Sequence, residues 1–226
     1  MEYIYKNWQK LFLIIGDYIL PIPLTVLMYF LWEDMTASSI YAYFILVLAL
    51  VYGYLIPGIA SNLFKLWRFA WPPQIVKSVF YHHGFIYSAY FLLVHYIAFF
   101  DGFTMTYMNV VRVIFANFAL FAILSAYNEI IMIKQGMVIN SNSLTKKGKS
   151  HIEAIFSFAF FYFGLVGASF GASALYAYNK IVIEQHTDTK SLMLYFAICM
   201  LLMTLASLPY FIVERKQVVI NRAERK

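Results

Sequence analysis

The sequence predicts an all-α integral membrane protein, a polytopic bundle of about six transmembrane helices with both ends in the cytoplasm, and three observations carry the prediction. Apolar residues fill 62% of the 226 positions and charged residues only 12%, where a soluble domain carries charge at about a quarter of its positions. The apolar residues come in runs of roughly twenty or more, with a mean hydropathy of +0.70, instead of being dispersed as a single soluble core requires. Lysine and arginine are concentrated in every second connection between these runs. Spanning strands need about ten residues of alternating polarity, and the runs are too long and too evenly apolar for that.

The expected spans are 11–32, 38–60, 78–100, 107–133, 152–178 and 191–213, forming one transmembrane domain over 1–226. Lys6 and Lys10 precede the first. Pro21 and Pro23 interrupt it and no small-x-small cleavage site follows, so it reads as an uncleaved span and not as a signal peptide. Pro21 cannot donate to the Asp17 carbonyl, so a kink and a free acceptor are expected beside that carboxylate, about 9 Å into the span. The span is taken to end at Trp32. Trp8, Trp32, Trp67 and Trp71 all stand at or near expected span ends, where an amphipathic ring gains from the headgroup zone.

After the second span, Leu66–Gln74 (LWRFAWPPQ) mixes Trp, Arg and a Pro-Pro pair and is expected to lie along the membrane surface. On the third span Gly84, Ser88 and His95 share a face. His82 and His83, about 6–8 Å into that span, point about 100° apart and make a poor bidentate clamp. On the fourth, Asn117, Ser125 and Asn128 fall within an arc of about 80°, with Glu129 on its flank and about 6 Å from the span end. Phe121 interrupts this stripe, which places Asn117 in a separate environment. His95 and Arg112 lie at similar depth and are expected to pair at the outer rim. On the fifth, Gly164, Gly167, Ala168 and Gly171 line one face, a small-xxx-small pattern that admits a close neighbouring helix. Gln135–Ser150 is the longest polar loop and the one expected to move most.

Lys6, Lys10, Lys65, Arg68, Lys77, Lys134, Lys146, Lys147, Lys149 and the basic residues from Arg215 to Lys226 share one side if the spans alternate. Only Lys180 and Lys190 lie outside spans on the other, so both termini are placed inside, in a bacterial inner membrane. The formal charge of +6 therefore reads as an orientation signal, and no nucleic-acid partner is expected. Membrane lipids are the expected surroundings, with a homo-oligomer or membrane-protein partner docking through the fifth span.

Ionisable groups inside spans are costly and point to function. The candidate substrate- or ion-binding residues are accordingly Asp17, His82, His83, Asn117, Asn128 and Glu129, of which Asp17, His82, His83 and Glu129 share one cytoplasmic-side layer. Gly164, Gly167 and Gly171 are assigned to helix packing, and intramembrane Asn and Ser serve more often as interhelical glue than as ligands. No metal or cofactor is expected. Bis-His haem ligation needs partners on two helices at matching depth, whereas His151 and His186 fall at or beyond span ends on opposite sides. The single cysteine, Cys199, lies in an apolar run and reads as a small buried hydrophobe. No Walker loop, HExxH or GxSxG stretch is present. Gly167-Ala168-Ser169 begins a GxSG pattern, but Phe170 replaces the second Gly and no His follows in the sixth span as base. The favoured expectation is thus a transporter or channel for a small polar solute, cation or proton. The alternatives are a non-catalytic interaction subunit of a secretion, conjugation, exclusion or immunity system, and an enzyme acting on lipid at the cytoplasmic face.

Overall fold

The computed structural model describes residues 8, 11, 14–64, 67–69, 74–76, 79–80, 83–99, 103–134, 138–140 and 160–223. Each of the apolar runs holds one long helix: α1 (Pro21–Thr36), α2 (Ser39–Gly58), α3 (His83–Phe99), α4 (Tyr107–Lys134), α5 (Phe160–Tyr178) and α6 (Thr189–Ala223). Four stretches, Ser39–Leu63, Tyr107–Met132, Phe160–Ile183 and Thr189–Ile212, are long and apolar enough to cross a membrane. The structure is therefore that of a helical membrane protein.

Local sequence explains where the helices start. The first run stays helical across its prolines: a π-helical stretch, Ile14–Ile19, in which Leu20 N–H donates to Ile15 O at 2.8 Å, passes through Leu20, still in right-handed helical conformation, into α1 at Pro21. Pro21 has no N–H to carry that hydrogen-bond ladder on, so the π pattern stops there and the regular α-helix starts. The Ser38 hydroxyl caps α2 by accepting from Tyr41 N–H at 3.2 Å, and Asp188 caps α6 by accepting from Ser191 N–H at 3.1 Å. Ala37, at φ 50°, makes the tight reversal between α1 and α2. Two short antiparallel ladders join the connections: β1 (Trp67–Phe69) pairs with β4 (Val138–Asn140), and β2 (Gln74–Val76) with β3 (Val79–Phe80). Part of the stretch expected to lie along the membrane surface is thus strand, as is one end of the long polar loop. The rest of that loop lies outside the described residues.

The helices pack α1 on α2 and α3, α2 on α3, α3 on α4, α4 on α5 and α5 on α6, with α4 and α5 in the longest contact. Between helices in lipid there is no water to squeeze out, so association rests on packing and on hydrogen bonds across the interface. Such bonds recur around the bundle. Thr25 Oγ1 donates to Phe85 O and Trp32 Nε1 to Leu92 O, each at 3.2 Å, tying α1 to α3. Tyr41 OH donates to Ala174 O at 3.2 Å, tying α2 to α5, and the Tyr52 and Ser207 hydroxyls meet at 2.6 Å, tying α2 to α6. Each contributes about 0.6 kcal/mol, and at most about 2. On α6 the buried residues recur every fourth position, Tyr195, Cys199, Met203, Ser207 and Phe211, while Ile198, Leu201 and Leu205 between them are exposed. Up to Ile212 that helix is largely apolar, with only a narrow seam turned to the bundle.

The centre of the bundle is aromatic. Phe91 of α3 stacks on Phe121 of α4 at 4.4 Å and on Phe170 of α5 at 4.6 Å, so three helices meet through one column of rings.

Candidate functional site

Beside this column, α3 and α4 bring two polar side chains together. Asn117 Nδ2 donates to Val113 O, one turn earlier on its own helix, at 2.8 Å, and lies 3.1 Å from His95 Nδ1. A carbonyl oxygen only accepts, so the bond to Val113 assigns the amide nitrogen, and with it the histidine tautomer. Nδ1 of His95 accepts from Asn117, and the ring hydrogen sits on Nε2. Both side chains are 0% exposed. The His95 Nε2–H donor and the Asn117 Oδ1 acceptor have no hydrogen-bond partner among the described residues. Buried polar groups in folded proteins are nearly always satisfied, so an open donor on His95 and an open acceptor on Asn117 call for an explanation.

The walls of the pair are apolar. Trp32 stacks on the imidazole at 4.9 Å with 18° between the planes, Phe99 lies at 5.7 Å, and Phe170 presents its edge at 5.8 Å. Trp32 is held in turn by its bond to Leu92 O, one turn before His95. The glycine face of α5 sets the remaining side. A Cβ on Gly171 would lie 2.9 Å from Asn117 Cγ, and one on Gly167 only 2.5 Å from Asn117 O and from Phe121 Cβ. Hydrogen at these positions lets α5 close over Asn117 and seal it from lipid.

Among the described candidate binding residues, Asn117 alone reaches this centre. His83, the first residue of α3, is buried near the other end of that helix with its ring 5.6 Å from Tyr87. Asn128 and Glu129 are partly buried on α4, and Glu129 acts electrostatically on Tyr87, which draws it toward the same end as His83. The side chain of Asp17 and all of His82 lie outside the described residues. Among the described residues no group of three or more His, Cys, Asp or Glu gathers at one place. Ser88 and Gly84 are buried on the same face of α3 as His95, and Gly84 meets Gly53 of α2 at close range.

Two sequence expectations are corrected here. His95 does not pair with Arg112: Arg112 is exposed on α4, and His95 turns inward to Asn117. Trp32 is no anchor at a span end: it is fully buried, because α1 runs on to Thr36 and carries the indole into the bundle. The sequence did hold a signal for this. Thr25, Met28 and Trp32 recur at three- and four-residue steps, and all three are buried on one face.

The turn between α5 and α6 holds a separate polar cluster. Lys180 Nζ meets Glu184 Oε2 at 2.7 Å, and His186 Nδ1 lies 3.4 Å from the same oxygen and 3.1 Å from Tyr195 OH. The hydrogen bond from Lys180 holds the Glu184 carboxyl below its usual range, and hydrogen bonds from Ser191 do the same for Asp188. These groups are exposed turn-closing contacts of small energetic weight. No protein-family model, curated protein or solved structure matches the chain.

Proposed function

We propose that this protein crosses a bacterial inner membrane six times, with both ends inside, and admits or carries a small polar solute. The observation that carries the functional part is the open donor of His95 and the open acceptor of Asn117, both fully buried between α3, α4 and α5. Polar groups that lipid-embedded helices bury without satisfying are costly, and such cost is usually kept for a ligand. His83, Asn128 and Glu129 lie toward one end of the same two helices and supply a polar approach. Between approach and pair stands the column of Phe91, Phe121 and Phe170, which a passing solute would have to part. In proteoliposomes, the protein should speed swelling in isosmotic acetamide or urea at least severalfold over empty liposomes, and Asn117→Leu should remove the gain. Glu129→Gln should slow entry without lowering the melting temperature. Swelling equal to that of empty liposomes would overturn the reading.

The closed aromatic column favours a second reading, a non-catalytic subunit that docks another membrane protein. Only 22% of the apolar stretch of α6 and 28% of that of α4 is buried within the chain, which leaves long faces for lipid or a partner. Absence of solute flux together with a discrete complex captured by cross-linking in native membranes would select it.

The topology rests on the basic residues of alternate connections and on helix length. From Ile14 to Thr36 the π-helical turn and α1 together reach about 34 Å, enough for a hydrocarbon core of about 30 Å. Reporter fusions after Lys149 and after Lys226 should both read cytoplasmic, and one near Asp188 external. A cytoplasmic signal at Asp188 would reverse the orientation, and opposite signals at Lys149 and Lys226 would remove a crossing.

A further inference from the structure

We infer that the C-terminal ends of α2 and α6 form one hinged unit, which bends about Pro57 and Pro209 while the rest of the bundle keeps its packing. The inference goes beyond both readings of function and holds under either, because it concerns how one end of the bundle moves and asks nothing of solute flux or of a partner.

α2 and α6 run side by side in the same direction and meet at three levels. Phe44 lies 6.0 Å from Phe196, Tyr52 bonds to Ser207, and Phe64 stacks on Phe211 at 5.6 Å. Each helix carries a proline in its interior, and both prolines fall between the second and third of these contacts. Pro57 has no N–H for the Gly53 carbonyl and Pro209 none for that of Leu205, so the two helices each lack a backbone bond in the same stretch and bend there most easily. On the N-terminal side of the prolines the helices are held fast. The Ser207 hydroxyl donates to Met203 O at 3.0 Å, so Tyr52 OH is the donor in its 2.6 Å bond to Ser207, and the Tyr52 ring lies edge-on to Phe91 of the aromatic column at 5.7 Å. Gly53 meets α3 main chain to main chain, where a Cβ would lie 3.0 Å from Gly84 Cα. Beyond the prolines each end is firm within itself. Gly58 leads into a π-helical turn, Ile59–Leu63, in which Ser61 Oγ donates to Pro57 O at 2.7 Å and Asn62 Nδ2 to Gly58 O at 3.1 Å. α6 runs on as helix to Ala223. The Phe64–Phe211 stack joins the two ends, so a bend in one carries the other with it. Tyr210 also touches Tyr162 of α5 at 5.7 Å, a contact of two partly buried rings that slides as α6 bends. The moving ends lie on the side of the aromatic column where α3 begins with His83, so the bend opens that side and leaves the column shut.

The test uses the full chain in lipid nanodiscs with paired spin labels, on a Cys199→Ala background so that only introduced thiols react. Leu63→Cys and Ile212→Cys place exposed labels on the two ends, and Ile123→Cys gives an exposed reference on α4. Pulsed dipolar distances from Ile123 to Leu63 and from Ile123 to Ile212 should each spread at least twice as widely as the distance between Leu63 and Ile212, which travel together. Pro57→Ala restores a backbone donor in α2 alone, yet it should narrow both distributions to the reference, and so should Pro209→Ala in α6. Adding Phe64→Ala should uncouple the ends, so that Pro57→Ala then narrows the Leu63 distribution only. Narrow distributions from both ends in the wild type overturn the inference, as does a spread that neither proline variant narrows. Narrowing confined to the helix that carries the substitution, with Phe64 in place, overturns it too. If one proline variant does not fold, the other decides, since each makes the same comparison.

Discussion

Replacing Gly167 by leucine should separate α5 from α4 and cost at least about 3 kcal/mol, the upper end of what overpacking a well-packed core costs. The size of the effect follows from what a side chain there would strike. A Cβ at Gly167 would lie 2.5 Å from the Asn117 carbonyl oxygen and 2.5 Å from Phe121 Cβ, so the obstacle is the main chain of α4 and the root of a side chain, and neither can rotate away. The helix itself would have to shift. That movement would carry Phe121 off Phe91 and break the column through the centre of the bundle. Alanine should suffice to produce much of the loss. At Gly164 the Cβ would first meet the ring of Phe118, which can turn, so Gly164→Ala should be milder than Gly167→Ala. Gly171→Ala should act on the site more than on the fold, because its Cβ would press on the Asn117 amide. Melting temperatures in detergent for these three alanine variants and Gly167→Leu give the ranking. Wild-type stability for Gly167→Leu would mean that α5 turns this face to lipid in the native bilayer.

Trp32→Ala should cost about 3–5 kcal/mol, the range for deleting a large aromatic from a packed core. Inside lipid this loss comes from the void and the missing contacts and not from water, because the surrounding solvent is itself apolar. The indole has many contacts to lose: it stacks on His95, meets Tyr41, Tyr96 and Phe99 edge-on within 6 Å, and bonds to Leu92 O. Trp32→Phe keeps most of the packing and removes the hydrogen bond, which should cost about 1 kcal/mol. The contrast separates two positions for the residue. A tryptophan anchored in the headgroup zone would tolerate both changes with little loss, whereas one wedged between α1, α2 and α3 would show the predicted gap between alanine and phenylalanine. Thermal unfolding of the two variants measures that gap.

Several features that matter for the site were legible in sequence, each through a short-range rule. Helical spacing put Gly84, Ser88 and His95 on one face of α3, and all three are buried there. The same spacing showed Phe121 cutting the polar stripe of α4, and Phe121 does stand in the aromatic column with Asn117 beyond it. It grouped Gly164, Gly167 and Gly171 as a face without saying which helix that face would meet. Membrane depth, taken one residue at a time, misplaces Trp32 and His95. Trp32 precedes Glu33 and Asp34, so it looked like a terminal anchor, although its periodic relation to Thr25 and Met28 pointed inward. His95 and Arg112 share a depth, but depth carries no information about which way each helix is turned, and His95 faces Asn117.

By itself the sequence determined the class of the protein, because apolar runs of this length with so little charge have one stable outcome in lipid: helices that satisfy their own backbone. It also determined the start of several elements, through Pro21, Ser38 and Asp188, since caps and proline act within a few residues of chain. Only the tertiary structure decided which polar groups meet. His95 and Asn117 are 22 positions apart on different helices. Their contact depends on the rotation and approach of α3, α4 and α5, which the glycines of α5, the ring column and Trp32 set together. No local propensity encodes that arrangement, and the open donor and acceptor at its centre exist only once all the helices have closed around them.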